Sequence, residues 1–171
     1  SLGGIYKWNK RLTVKLNLGS GWRPPNVSEL FSEGLHHGAA SVEIGDRNLQ
    51  KETSYQAGAA INYEREKFSL HVGPYYNYLK NFIYLKPELP ATLTIRGAFP
   101  TYVYTQTDAG LGGLDISMAW DFYRNFEWTS RISLLRAFNL TTGEYLVQMP
   151  ADRMENVVEY KFSSGKRFSE N

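Results

Sequence analysis

The feature that most constrains this chain is a period of two in its apolar residues, repeated along most of its length. Leu12, Val14, Leu16 and Leu18 alternate with Arg11, Thr13, Lys15 and Asn17. Tyr55, Ala57, Ala59, Ile61 and Tyr63 follow the same rule, as do Phe68, Leu70, Val72, Pro74 and Tyr76. Leu114 to Phe122, Phe126 to Leu134 and Val158 to Phe162 continue it on every second residue. Successive side chains of a strand point to opposite faces, so this spacing makes one apolar and one polar face. A helix, at 3.6 residues per turn, would scatter the same residues around its surface. Only SELFSEGL, Ser28 to Leu35, reads as a helical turn or two. The fold class is all-β, with antiparallel up-and-down strands.

The links between strands point the same way. EREK and YRN are short enough to be tight turns, whereas the links at about 19–51, 80–101 and 138–149 are long and read as loops. Short and long links alternate, so in an up-and-down sheet all the turns fall at one end and all the loops at the other. Outer-membrane β-barrels have that anatomy. Aromatics, 15% of the chain, sit near the ends of the apolar tracks: Tyr55, Tyr63, Phe68, Tyr76, Trp120, Phe122, Phe126, Trp128, Tyr160 and Phe162. Girdles at two lipid interfaces produce such a pattern. A midplane charge on a lipid face costs about 2–4 kcal/mol, and these tracks carry almost none. Arg11, Lys15, Asp115, Asp121, Glu127, Arg131, Glu159 and Lys161 fall on the opposite face, where they would form ladders lining a lumen. The alternative is a soluble all-β carbohydrate-binding module whose aromatics stack on sugars. In that case the apolar face must be covered by protein.

Composition closes other routes. The net charge is +2, without the basic stripe of a nucleic-acid binder, so no nucleic-acid partner is expected. There is no cysteine, hence no disulfide framework and no thiolate metal site. No apolar run reaches the roughly 18 residues of a membrane-spanning helix. SLGGIYKWNK lacks the charged start and apolar core of a secretory leader. H-E-x-x-H, G-x-S-x-G and phosphate-binding glycine loops are missing, and AGLGGLD leads into a strand rather than a helix. No enzymatic activity and no resident cofactor is expected.

The stretch GSGWRPPNVSELFSEGLHHGAASVEIGDRNLQKETS resembles a barrel segment of TonB-dependent outer-membrane receptors. That family commonly reads S-x-G-F-R-A-P-N-L-S-E-L followed by N-P-N-L-x-P-E. Trp22, Arg23, Pro24, Pro25, Asn26, Ser28, Glu29 and Leu30 stand in the first box, and Asp46, Arg47, Asn48, Leu49 and Glu52 in the second. Departures are Trp22 for Phe, Pro25 for Ala and Arg47 for Pro. QMPADRMENVVEYKF, Gln148 to Phe162, is similar to the family's P-x-x-R strand entry. The resemblance implies one part, about eight strands, of a barrel of about 22 strands filled by an N-terminal plug. Residues 1–171 would all be barrel wall, with the plug, the TonB-contacting segment and the closing strand lying outside this sequence. It further implies a Gram-negative outer membrane, lipid contact, and partnership with TonB and its inner-membrane energising complex through the plug. An isolated piece would have open edges and an uncovered apolar face, and would self-associate or need detergent.

Candidate ligand contacts lie in the long links. His36 and His37, between Gly34 and Gly38, are candidates for ligating haem iron or another metal, or are polar loop residues. Tyr84 and Tyr102, with Phe99 and Tyr104 nearby, are candidates for stacking on a planar or carbohydrate ligand, or for loop packing. Haem or a metal complex would be transported cargo here. Trp22, Arg23, Pro24, Pro25, Asn48 and Leu49 read as structural, with Arg23 anchoring loop carbonyls or a lumenal carboxylate. His71, on the polar face of its strand, is also expected to be structural.

Overall fold

A computed structural model describes residues 1–162. Its strands are β1 (Leu2–Lys7), β2 (Leu12–Arg23), β3 (Glu33–His36), β4 (Ser41–Ile44), β5 (Glu52–Arg65), β6 (Phe68–Thr94), β7 (Gly97–Tyr123), β8 (Phe126–Asn139) and β9 (Arg153–Tyr160). One short helix, α1 (Val27–Phe31), lies in the link after β2. Strands β1, β2, β5, β6, β7, β8 and β9 pair antiparallel in that order as a meander, while β4 pairs parallel with β7 and carries β3 outward. The sheet is all-β and antiparallel as expected, apart from that one parallel contact.

Alternation puts Leu16 and Leu18 of β2, Ile61 of β5 and Val158 of β9 on one face, where Leu16 is 59% and Val158 62% exposed. Among the described residues no second layer covers them. Among the described residues the buried apolar side chains are Val42, Leu79, Ile83, Ala109, Ala137 and Leu146, all toward the loop end. A soluble carbohydrate-binding module would bury its apolar face, whereas this face stands exposed, as a lipid-facing one does. In β5 the apolar track runs from Tyr63 to Tyr55, about nine residues, the length a tilted strand needs to cross a bilayer.

The turn end carries a continuous aromatic belt. Tyr63 packs on Phe68 at 6.2 Å, Trp120 on Phe122 and Phe122 on Phe126 at 6.0 Å, Phe126 on Tyr160 at 4.8 Å, and Tyr160 on Phe162 at 4.7 Å. At the loop end, Tyr55 stacks on Tyr78 at 6.2 Å and Trp22 stands exposed. The opposite face is a polar ladder. Lys161 reaches Asp121 at 3.5 Å and also pairs with Glu127, Arg131 meets Glu155 at 3.0 Å, and Ser133 donates to Asp115 at 2.7 Å. On the same face, His71 Nδ1 lies 2.8 Å from Oδ1 of its register partner Asn62.

The expected loop boundaries need correction. The stretch 80–101 is not an irregular loop: β6 and β7 run through it and turn only at Ile95–Arg96. Residues 97–108 of β7 project past the last residue paired with β8, about 40 Å of strand at ~3.3 Å per residue. β-branched Thr and Val and the tyrosines support a strand there despite Pro87, Pro90 and Pro100. The link expected at 19–51 begins after Arg23 and contains α1, β3 and β4. The one expected at 138–149 runs from Leu140 to Asp152 between β8 and β9.

Candidate functional site: the loop-end assembly

The link between β2 and β5 is organised by one arginine. Arg23, the last residue of β2, directs Nη1 to both carboxylate oxygens of Glu29, at 3.0 and 2.9 Å, and Nη2 to Glu52 Oε2 at 3.1 Å. Glu52 is its register partner on β5. Pro24 and Pro25 hold the chain extended for the next two residues, and Asn26 then caps α1. The Asn26 side chain accepts from Glu29 N at 2.8 Å while Glu29 Oε2 accepts from Asn26 N at 2.8 Å, a reciprocal capping box. Glu29 is therefore buried and satisfied on all sides. Both carboxylates hold the Arg23 guanidinium further into its charged form, the hydrogen bond to Glu29 most strongly.

The two sequence boxes meet at this knot. Gly45 N donates to Ser32 O at 2.7 Å and Asp46 N to Glu29 O at 3.0 Å, closing the second box onto the end of α1. A Cβ on Gly45 would stand 2.6 Å from the Leu30 carbonyl carbon, so only glycine allows this approach. Asp46 Oδ1 accepts from Asn48 N at 2.8 Å and from Asn48 Nδ2 at 3.0 Å, and Leu49 N reaches Asp46 O at 3.4 Å, which turns the chain toward β5. Arg47 lies over the Phe31 ring and Lys51 over Trp22, at 5.4 and 5.9 Å.

The projecting hairpin is gripped from two sides. Gln106 of β7 accepts from Gln50 N at 2.8 Å and donates to Gln50 O at 2.7 Å. Its register partner Ile83 is buried. On the opposite face Leu146, in the link before β9, packs with Leu79, Ala109 and Ala137, and Phe82, Tyr84, Leu111 and Met149 surround them. Arg136 and Asp152 tie the base of that link at 2.6 and 2.8 Å.

The sequence candidates are placed as follows. His36 ends β3, is exposed, and lies 3.6 Å from Glu43 Oε1. His37 opens the turn 37–40, and among the described residues only His36 of the pair has a carboxylate within 4 Å. Among the described residues no group of three His, Asp or Glu side chains is arranged to hold a metal ion. Glu43 Oε2 accepts from Tyr104 OH at 3.3 Å, and burial, then the Glu43 charge, pushes that phenol upward. Tyr102, the register partner of Glu43, lies on the same face of β7 as Tyr104. Tyr84 pairs with Thr105 on the other face, where it stacks parallel to Phe82 at 6.1 Å and 4°. The two tyrosines are thus not brought together. Glu43 and Gln106 escaped sequence reasoning, because their partners lie 61 and 56 residues away and no local pattern marks them.

The chain matches the family model described as the β-barrel of TonB-dependent receptor-like proteins over residues 1–169. It belongs to the TonB-dependent receptor family. Members of this family are outer-membrane β-barrel receptors and transporters rather than enzymes. Solved structures share the fold. The copper transporter OprC superposes with a TM-score of 0.74 at 18% identity, covering 93% of this chain and 23% of that one. A G324V mutant of the ferric enterobactin receptor PfeA from Pseudomonas aeruginosa gives 0.68 at 16% identity, covering 95% and 25%. The siderophore receptor PirA from the same organism gives 0.60 at 17%, covering 79% and 27%. The TonB-dependent receptor segment described here therefore spans about a quarter of the length of these structures.

Proposed function

We propose that this segment is part of the wall and outer rim of a Gram-negative outer-membrane receptor that captures a scarce metal complex and passes it inward by TonB-dependent transport. The observation carrying this reading is the built assembly at the loop end. A charged knot, a docked β3–β4 hairpin and a projecting β6–β7 hairpin stand above a bilayer-height apolar band. Short periplasmic turns with long structured extracellular links suit capture from outside. The cargo is an iron chelate, haem or a related metal complex; the structural neighbours are named for copper, ferric enterobactin and siderophores, and haem rests on the exposed His36 alone. The energising contact, TonB and its inner-membrane complex, acts through a plug.

Within this reading, Tyr84 with Phe82 offers a flat aromatic platform for a ring of the ligand. His36, backed by Glu43, is the side chain best placed to add a metal or haem contact. Uptake of a labelled ferric chelate and of haem, in cells expressing the full-length receptor, tests the function. Uptake that continues after collapse of the proton-motive force would count against TonB coupling. A haem absorbance band in the purified full-length receptor, lost in His36→Ala but kept in His37→Ala, would name haem as cargo. An unchanged band in both variants would remove the histidines from the site.

A further inference from the structure

We propose that Asp108 and Gln106 form a clamp on a β-bulge in β6, and that this clamp decides which side chains of the projecting hairpin face the ligand space. Pairing of β6 with β7 is regular up to Leu79↔Ala109 and resumes at Phe82↔Thr107, so Lys80 and Asn81 together oppose the single residue Asp108. Asn81 has φ +56°, the left-handed conformation that asparagine tolerates better than most residues. A bulged residue loses its ladder partners, and its backbone groups need others. Here Asp108 Oδ1 accepts from Asn81 N at 3.0 Å and Gln106 Nε2 donates to Asn81 O at 2.9 Å. Asp108 Oδ2 also accepts from Tyr78 OH at 2.7 Å, which fixes the carboxylate. Both backbone groups of Asn81 are thus satisfied by β7 side chains, Asp108 directly opposite the bulge and Gln106 two residues before it.

The extra residue inverts parity. Before it, the even-numbered Tyr76 and Tyr78 continue the apolar track; after it, even-numbered Phe82 and Tyr84 lie on the opposite face and odd-numbered Ile83 and Leu85 continue that track. Ile83 is then buried beside Gln106, while Phe82 and Tyr84 stack on the face that is polar and lumenal lower in the sheet. Without the bulge, a one-residue slip would exchange the two sets. This deepens the proposed function only in assigning Phe82 and Tyr84 to the ligand side. The register itself can be read without any ligand.

Double-cysteine variants of the full-length receptor in outer membranes report that register. Tyr84→Cys with Thr105→Cys should crosslink on oxidation, and Tyr84→Cys with Tyr104→Cys, the pair that a bulge-free register would align, should not. Adding Asp108→Ala, or Asn81→Ile, which disfavours positive φ, should lower the first crosslink by about tenfold and raise the second. Asn81→Gly should leave both unchanged. Deleting Asn81 should keep the 84–105 crosslink, because it heals the bulge without moving Phe82 off Thr107. Should Asp108→Ala fail to reach the membrane, Asp108→Asn, which keeps an acceptor but loses the charge, should give a partial shift. Retention of the 84–105 crosslink in both Asp108→Ala and Asn81→Ile would overturn the proposal and assign the register to burial of Ile83 instead. Loss of that crosslink on deletion of Asn81 would overturn it too.

Discussion

Removing the Arg23 guanidinium should release the β2–β5 link without unfolding the sheet. Glu29 is 9% exposed at its side chain and Glu52 13%, so both carboxylates sit largely out of water against one cation. Breaking such a pair from one side costs about 3–5 kcal/mol when fully buried. Arg23 itself is 41% exposed, so water partly replaces it and the expected cost falls to about 2 kcal/mol. That corresponds to roughly a 30-fold rise in local opening. Hydrogen exchange on the full-length receptor in detergent reads this directly at the Gly45 and Asp46 amides, which are held by Ser32 and Glu29. Exchange there should accelerate about 30-fold in Arg23→Ala, while amides of β5 and β6 below Tyr55 stay protected. Arg23→Lys should recover little, since one ammonium cannot reproduce three fork-shaped contacts to two carboxylates. An acceleration below about threefold, or full recovery by lysine, would refute the knot as the organiser of this link.

Leu16→Arg, at the middle of the apolar band, should cost about 2–4 kcal/mol and lower the heat-modifiable folded fraction on cold gels, whereas Asn17→Arg on the polar face should not. Gly45→Ala should cost about 1–3 kcal/mol by forcing the chain away from α1, read as faster protease nicking of the 24–51 link on intact cells. The Tyr104–Glu43 contact has a stated pH sign: because the folded phenol is held above its ordinary value near 10, its stabilisation is complete below that value. It disappears as pH climbs through the raised one, and difference absorbance at alkaline pH should show a late-titrating tyrosine component that Tyr104→Phe diminishes.

The sheet was legible because a period of two is a local property. Leu12 to Leu18, Tyr55 to Tyr63 and Leu114 to Phe122 declare their faces residue by residue, and the aromatics mark where each face ends. The WRPPN and DRNL boxes were legible as a resemblance, and their joining at Arg23, Glu29, Gly45 and Asp46 shows why they occur together. The stretch 80–101 misled because proline and glycine are strong local signals for loops, and its pairing partner is its own other half across a turn at Ile95–Arg96. Tertiary structure alone decided the rest. Counting by twos from Tyr76 places Tyr84 on the lipid track, but one bulge, held by side chains 25 and 27 residues away, puts it on the other face. Likewise β4 adds to β7 in parallel across a gap of about 60 residues, bringing Glu43 under Tyr104 and His36 beside Glu43. Alternation specifies faces only while the register is unbroken, and a register break is set by long-range hydrogen bonds that no short window of sequence contains.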